Sequence, residues 1–391
     1  MPAVLGKMIT TRTITSLDEF NAVKPAWDSL LASSGFKNPF LSSQWLAQWI
    51  ADFGAQENWA IIIAEENSAI HAAMPIIVRN GGIRTLFQKR IAFIGDPWLA
   101  DYMNVLMSDD TPVDVLADLL SCLQRNFKWG KCDLKPFHRG DIDTAPLIAA
   151  TKKANLYHHV YIHSKSPQII LSDTSWEDYY KTLPKNLRQD LRTSANRLEK
   201  EGKKIEFQVL ENANDINDAY ETLVTFHQAR QKYKVGPSLF DDKVINRFLR
   251  TIAHDFSVRK QASVSILKID GTTVSCVYGL CDNDRYYYWI PSFSMDHTRI
   301  SLGKLHLMHL IEQAFKDGKK IFDFMIGDED YKKRWTELEV DNQGVFLYRS
   351  RFMRQWDQTL IRIRTILKDI KNKSRFLTAF WIKFSKKIQA Q

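Results

Sequence analysis

Positions 8–15 alternate between Thr and apolar residues and predict a strand. Ser16 and Glu19 then form a capping-box pair, opening a helix whose buried face would carry Trp27, Leu30 and Leu31. Asn38-Pro39 breaks the chain, and Ser43 is expected to cap a second helix bearing Trp45, Leu46, Trp49 and Phe53. Apolar runs at 59–65 and 69–78, joined by Glu66-Asn67-Ser68, predict an antiparallel hairpin. More strand is expected near 84–95 and 131–136, with helices at 111–126 and 143–154. The segment 163–183, with Ser164, Ser166, Pro167, Ser172 and Asp173, reads as a crossover. Leu187, Leu191, Ala195 and Leu198 share one helical face, while Lys185, Arg188, Arg192 and Arg197 decorate the others.

The same order then returns. Strand is predicted at 204–210, helices at 213–231 and 241–254, and strands at 262–269, 272–281 and 285–293. A helix follows at 302–317, a strand at 320–325, a short helix near 329–336 and a strand at 343–349. The repeat is one of element order; the letters do not repeat. The expected fold is α+β: two tandem halves, 1–165 and 166–350, each a mixed, mainly antiparallel sheet flanked by helices, followed by a basic helical tail at 351–391.

Charge changes the picture at one end only. The chain carries a formal +9, and residues 351–391 hold eleven Lys or Arg against Asp357 and Asp369, so the first 350 residues are net neutral. Nucleic-acid binding by the body is not expected. In the tail, Trp356, Leu360, Ile363, Leu367 and Ile370 step by four, three, four and three, and Leu377, Phe380, Phe384 and Ile388 continue a similar stripe. Such a helix suits an anionic membrane surface, or else packs on the preceding domain. Cys122, Cys132, Cys276 and Cys281 form no C-x-x-C pair, which fits a reducing compartment. No signal-like or membrane-spanning apolar run occurs, so the expected location is the cytoplasm, with peripheral contact to the inner membrane through the tail.

The chemistry concentrates in Arg299-Ile300-Ser301-Leu302-Gly303-Lys304, between the aromatic strand Tyr286–Ile290 and an apolar helix. A strand, a small-residue turn and a helix start can bind phosphate, since the first N–H groups of a helix lack internal partners. The helix dipole adds about 0.3–1 kcal/mol. The alternative is an ordinary helix start capped by Ser301. Downstream, Ile321–Phe324 reads as a strand parallel to its neighbour, and Gly327-Asp328-Glu329-Asp330-Tyr331-Lys332-Lys333-Arg334-Trp335 crowds the loop at its carboxyl end, where open α/β sheets bind ligands. His306 and His309 have no companion carboxylate at metal-site spacing, and no metal is expected.

This block, S-L-G-K through D-F-M-I-G-D-E-D-Y-K-K-R-W, resembles the signature of the CelD-type acetyltransferases. Those are bacterial members of the GNAT superfamily linked to cellulose or exopolysaccharide biosynthesis, and related in layout to the Fem peptidyltransferases. Asn38-Pro39-Phe40, Trp45-Leu46, Phe93-Ile94-Gly95, Asp101-Tyr102 and the basic helix 187–202 extend the resemblance over about residues 15–350; Leu302 replaces a proline common in relatives.

The resemblance implies acyl transfer from acetyl-CoA or another acyl-CoA to an amine of a sugar, polysaccharide precursor or envelope-type acceptor. The donor would lie on Tyr288, Arg299, Ser301, Leu302, Gly303 and Lys304, in the C-terminal half, with the N-terminal half shaping the acceptor cleft. Asp323, His297 and Glu329 are candidate bases, although Asp323 could instead hold the Gly327 loop and His297 could be a turn residue. Tyr331 could donate to the leaving thiolate or simply pack. Lys332, Arg188 and Arg192 could bind an acidic acceptor or form solvated faces. The rival expectations are a Fem-like transferase using charged tRNA and a non-catalytic module binding glycan or a synthase.

Overall fold

The computed structural model describes residues 9–35, 37–97, 99–210, 213–234, 236–297 and 300–388, with side chains through residue 370 except 213 and 369. The chain opens with β1 (Thr10–Ile14), α1 (Leu17–Ser33), a 3-10 turn at Pro39–Leu41 and α2 (Ser43–Phe53). Then come β2 (Trp59–Glu66), β3 (Ala69–Arg79), a 3-10 turn at Ile83–Thr85, β4 (Arg90–Phe93), β5 (Leu106–Met107), α3 (Val113–Asn126), β6 (Lys131–His138), α4 (Ala145–Lys153) and β7 (Tyr157–Ile170). Two linking helices, α5 (Trp176–Thr182) and α6 (Lys185–Lys200), lead into the second round.

That round repeats the first: β8 (Ile205–Leu210), α7 (Ala213–Tyr233), a 3-10 turn at Leu239–Asp241, α8 (Lys243–Val258), β9 (Ala262–Ile269), β10 (Thr272–Cys281), β11 (Arg285–Phe293), α9 (Leu302–Lys316) and β12 (Ile321–Asp323). A 3-10 turn at Lys332–Arg334, β13 (Glu339–Tyr348) and α10 (Arg351–Ile388) end it.

Among the described residues, thirteen strands make one sheet ordered β1-β2-β3-β4-β6-β13-β7-β12-β11-β10-β9-β8, with β5 beside β3. Two pairings are parallel, β4 with β6 and β11 with β12, one in each half; the rest are antiparallel. The last strand, β13, lies between β6 and β7, while β7 pairs onward with β12. Each half therefore lends a strand to the other. Aromatic contacts add to the seam: Phe40 packs edge-on against Trp289, and Trp45 against Phe248, each with centroids 5.5 Å apart. Burial of a side chain of this size contributes about 1.5–3 kcal/mol.

Three local expectations change. Ser42, not Ser43, caps α2: its hydroxyl accepts from the Trp45 N–H, whereas Ser43 donates to Asp28. Residues 163–170 are not crossover but the end of β7, paired on both sides. Their polar letters hide the strand because Ser166 and Gln168, although buried, hydrogen-bond sideways to Asn342 and Asp323. Most of 84–95 is turn, with strand only at β4.

Candidate acyl-transfer site

β11 and β12 pair over only three residues, Arg285–Tyr287 with Ile321–Asp323. β11 continues to Phe293 while β12 stops, so the strands separate and open a gap in the sheet. A cavity of about 270 Å³ lies at this opening, lined by Tyr288, Pro291, Phe293, Ser301, Leu302, Gly303, Lys304, Tyr331 and Arg230 among others. The expected donor residues other than Arg299 thus come together; Arg299 lies outside the described residues.

The turn into α9 is not the Ser301-capped start offered as the alternative, since the Ser301 hydroxyl makes no cap bond. Its amides are not all free either. Ser301 N–H donates to Ser194 Oγ, Leu302 N–H to the Ile300 carbonyl and Lys304 N–H to the Ser301 carbonyl. A Cβ on Gly303 would lie 3.1 Å from the Phe293 ring, which explains the glycine by close packing. The Lys304 ammonium is held by Asp190 at 2.7 Å, and Arg334 shares that carboxylate at 3.0 Å. The two cations hold the Asp190 carboxyl below the usual range.

A second cavity, of about 390 Å³, shares Arg230, Tyr288, Pro291 and Tyr331 with the first and adds Asp101, His227, Gln231, Lys234, Glu329 and Lys332. Asp101 comes from the loop after β4, in the other half of the chain. Burial pushes its carboxyl up to about 6 despite the nearby Lys332 ammonium and the Ile326 N–H, with Asp323 and Glu329 adding repulsion. Lys332 is buried; its Nζ donates to the Ile326 carbonyl at 3.0 Å and pairs with Glu329 at 3.0 Å. Burial lowers His227 to about 4, so its ring is neutral at neutral pH, 2.8 Å from Ser238 Oγ. Burial raises the Tyr331 hydroxyl, which keeps its proton.

Asp323 does not line either cavity. It is completely buried, and its oxygens accept from Tyr102 (2.9 Å), the Met325 N–H (2.7 Å), Gln168 (2.8 Å) and Arg285 (3.3 Å). It sets the turn in which Met325 has φ of 60° and Gly327 a φ of 138°. A Cβ on Gly327 would collide with Glu329 and Lys332. His297 is half-buried and lines neither cavity; its carbonyl accepts from the Ile300 N–H. Arg188 donates to the Leu183 carbonyl at 3.1 Å, and Arg192 is exposed; neither reaches the two cavities. The basic helix contributes Asp190 and Ser194 instead, which buttress the α9 turn.

Asp101, His227, Arg230 and Lys234 were missed as site residues. Asp101-Tyr102 was visible as a landmark pair, but nothing local indicates that it faces a loop more than two hundred residues away. The α7 residues carried no site signal in the sequence, which gave only a helix at 213–231.

Residues 185–333 match the model of the acetyltransferase (GNAT) domain family. No curated protein matches the chain. The fold is similar to that in the crystal structure of FemX, with a TM-score of 0.54 at 10% identity, covering 90% of this chain and 99% of that one. It is also similar to the C-terminal domain of a putative lysylphosphatidylglycerol synthetase from Agrobacterium fabrum, with a TM-score of 0.51 at 10% identity over 88% and 95% of the two chains. A conserved protein of unknown function from Bacteroides thetaiotaomicron gives 0.52 at 12% identity over 87% and 100%. Identities this low show likeness of fold alone. The family match supports a GNAT-type acyltransferase fold within residues 185–333.

Proposed function

We propose that the protein is an acyl-CoA-dependent N-acyltransferase acting on an amine of a sugar, polysaccharide precursor or envelope-type acceptor. The observation that carries this reading is a pair of cavities that share four lining residues: one at the α9 turn, where the sheet opens, the other lined by the Asp101 carboxyl, raised to about 6. The aromatic and apolar wall of Tyr288, Pro291, Phe293 and Leu302 suits a pantetheine-like chain. Lys304, Arg334 and Arg230 suit its phosphates, and Lys304 and Arg334 can exchange Asp190 for a stronger anion. Three of the turn's amides have partners within the chain, so cations carry more of the anion binding than the free helix N–H groups expected from the sequence.

Acyl-CoA bound there would supply an activated thioester. The chain's own groups would do the rest. Asp101, ionised above about pH 6, accepts the proton of the acceptor ammonium and leaves the nitrogen lone pair free to attack the acyl carbon. The N–C bond forms as the C–S bond breaks, the nitrogen's second proton passes to the departing sulfur to give the free thiol, and Tyr331, which lines both cavities, can hydrogen-bond that sulfur. Arg230 and Lys234 beside Asp101 suit an acceptor that carries an anionic group near its amine.

The test incubates the full chain with acetyl-CoA and longer acyl-CoAs against a panel of amino sugars and their phosphates, reading thiol release and intact product mass. An acceptor-dependent gain of one acyl mass supports the reading. Stabilisation by aminoacylated tRNA with no response to any CoA ester would favour the alternative of a Fem-like aminoacyl transferase. Neither response would leave a non-catalytic binding module.

A further inference from the structure

α10 has a fixed stem and a projecting remainder. In the stem, Met353 is buried, and the fully buried Asp357 accepts from Arg84 (2.6 Å), Lys131 (2.8 Å) and Tyr348 (2.7 Å). The Trp356 indole N–H donates to the Ile83 carbonyl at 2.8 Å, holding the 83–87 turn of the body against the helix. Past Ile361 every side chain described, through residue 370, is exposed, although four are large and apolar: Ile363 46%, Ile366 58%, Leu367 60% and Ile370 58%.

At about 100° per residue these four fall within a sector roughly 100° wide, together with Phe352 at the stem. Arg362, Arg364 and Lys368 fall outside it. The helical backbone runs on to Ile388, about 40 Å beyond Ile361 at 1.5 Å per residue. Over that length the sequence repeats the apolar spacing at Leu377, Trp381, Phe384 and Ile388. The body contributes two more exposed apolar residues from the turn beside Trp356: Ile83 (60%) and Phe87 (78%).

Charge identifies the occupant. Residues 358–391 hold nine Lys or Arg and one acid, Asp369, because Asp357 is spent inside the stem. A second copy of this helix would set nine cations against nine, whereas an anionic lipid surface neutralises them. No helix among the described residues is long and apolar enough to cross a membrane, which leaves an in-plane position. We propose that α10 beyond Ile361, with Ile83 and Phe87, seats the protein on an anionic lipid bilayer, the apolar sector among the acyl chains and the cations at the lipid phosphates. The Asp357 clasp then fixes the body, and its acyl-transfer groove, at a set orientation to the surface.

The test is co-sedimentation of the full chain with vesicles of 30% phosphatidylglycerol in phosphatidylcholine and of phosphatidylcholine alone, at low and high salt. Light scattering gives the oligomeric state. The expected result is binding to the anionic vesicles at least tenfold tighter than to the neutral ones, weakened by salt. The double variant Ile366→Asp, Ile370→Asp should lose at least tenfold, and Phe87→Asp a smaller factor, with thermal stability unchanged because all three residues are exposed. Absence of vesicle binding, equal binding by the variants, or a dimer that the double variant dissociates would each overturn the proposal.

Discussion

The Tyr102 hydroxyl donates to Asp323 Oδ1 at 2.9 Å and lies 2.8 Å from Ser166 Oγ, tying the loop after β4 to the end of β12. One residue before Tyr102, Asp101 enters the cavity formed by the other half of the chain. The bond thus links an internal scaffold to the group proposed to move the proton. Asp323 accepts four hydrogen bonds without reaching the cavity, so its effect on transfer is through position and charge.

Tyr102→Phe removes one donor and should cost about 1 kcal/mol of stability. It should also lower kcat with little change in KM, since Asp101 loses its anchor. Asp323→Asn replaces an acceptor with a group that cannot accept from all four donors, and leaves Arg285 paired with Asp141. A loss of about 3 kcal/mol is expected from breaking a buried pair. Urea denaturation measures both. If Asp323→Asn unfolds at the wild-type midpoint and only activity falls, the scaffold role is wrong.

Asp101 makes opposite demands on stability and on activity. Its folded-state value, about 6, lies above its ordinary 3.8. Its contribution to folding is therefore fully present below about pH 4 and is lost as pH rises through about 6. The proposed base works only when ionised, so kcat/KM should rise about tenfold per pH unit below 6 and level off above it. Asp101→Asn should lower kcat by roughly 10²–10⁴ and remove that limb. A limb that persists in the variant would assign it to another group.

The elements were legible where one physical signal dominates. Ser16 and Glu19 specified a capping box that forms as expected, with the Glu19 N–H donating to Ser16 and the Ser16 N–H to Glu19. Gly303, expected in a phosphate-binding turn, is a glycine because the Phe293 ring packs against it. The end of β7 was illegible because Ser166 and Gln168 satisfy their polar atoms within a buried seam, which breaks strand alternation without breaking the strand. The second cavity was illegible for a different reason. Asp101 and Arg230 come to line one cavity only through the sheet order, which no local period encodes, and Asp323 resembled a catalytic carboxylate because strand-end position is visible in sequence while saturation by four donors is not.

Gly303→Glu separates donor binding from folding. The new side chain would start 3.1 Å from the Phe293 ring and enter the cavity lined by Lys304 and Tyr288. Its carboxylate would compete with any phosphate for Lys304 and Arg334. Acetyl-CoA should raise the wild-type melting temperature by several degrees, as ligand binding to the native state requires, and should leave the variant unmoved. An equal shift in both proteins would place the donor elsewhere.

The Asp357 clasp offers a contrast between two variants of the same ion pair. Asp357→Asn leaves the Lys131 ammonium, 4% exposed, without its ion-pair partner and removes that of Arg84. The expected cost is about 3 kcal/mol. Lys131→Met removes an ammonium whose burial already lowers it to about 8, while Arg84 and Tyr348 still hold the carboxylate. That variant should therefore change stability by less than about 1 kcal/mol, because the desolvation cost disappears along with the attraction. The sign of the pH effect follows from the same depression. Between about pH 8 and the ordinary lysine value of 10.5 the unfolded chain binds a proton that the folded chain does not, so Lys131 adds stability as pH rises through that window. Urea midpoints at pH 7 and pH 9.5 for wild type and Lys131→Met should show this gain in the wild type alone. The same gain in both proteins would show that another group carries it.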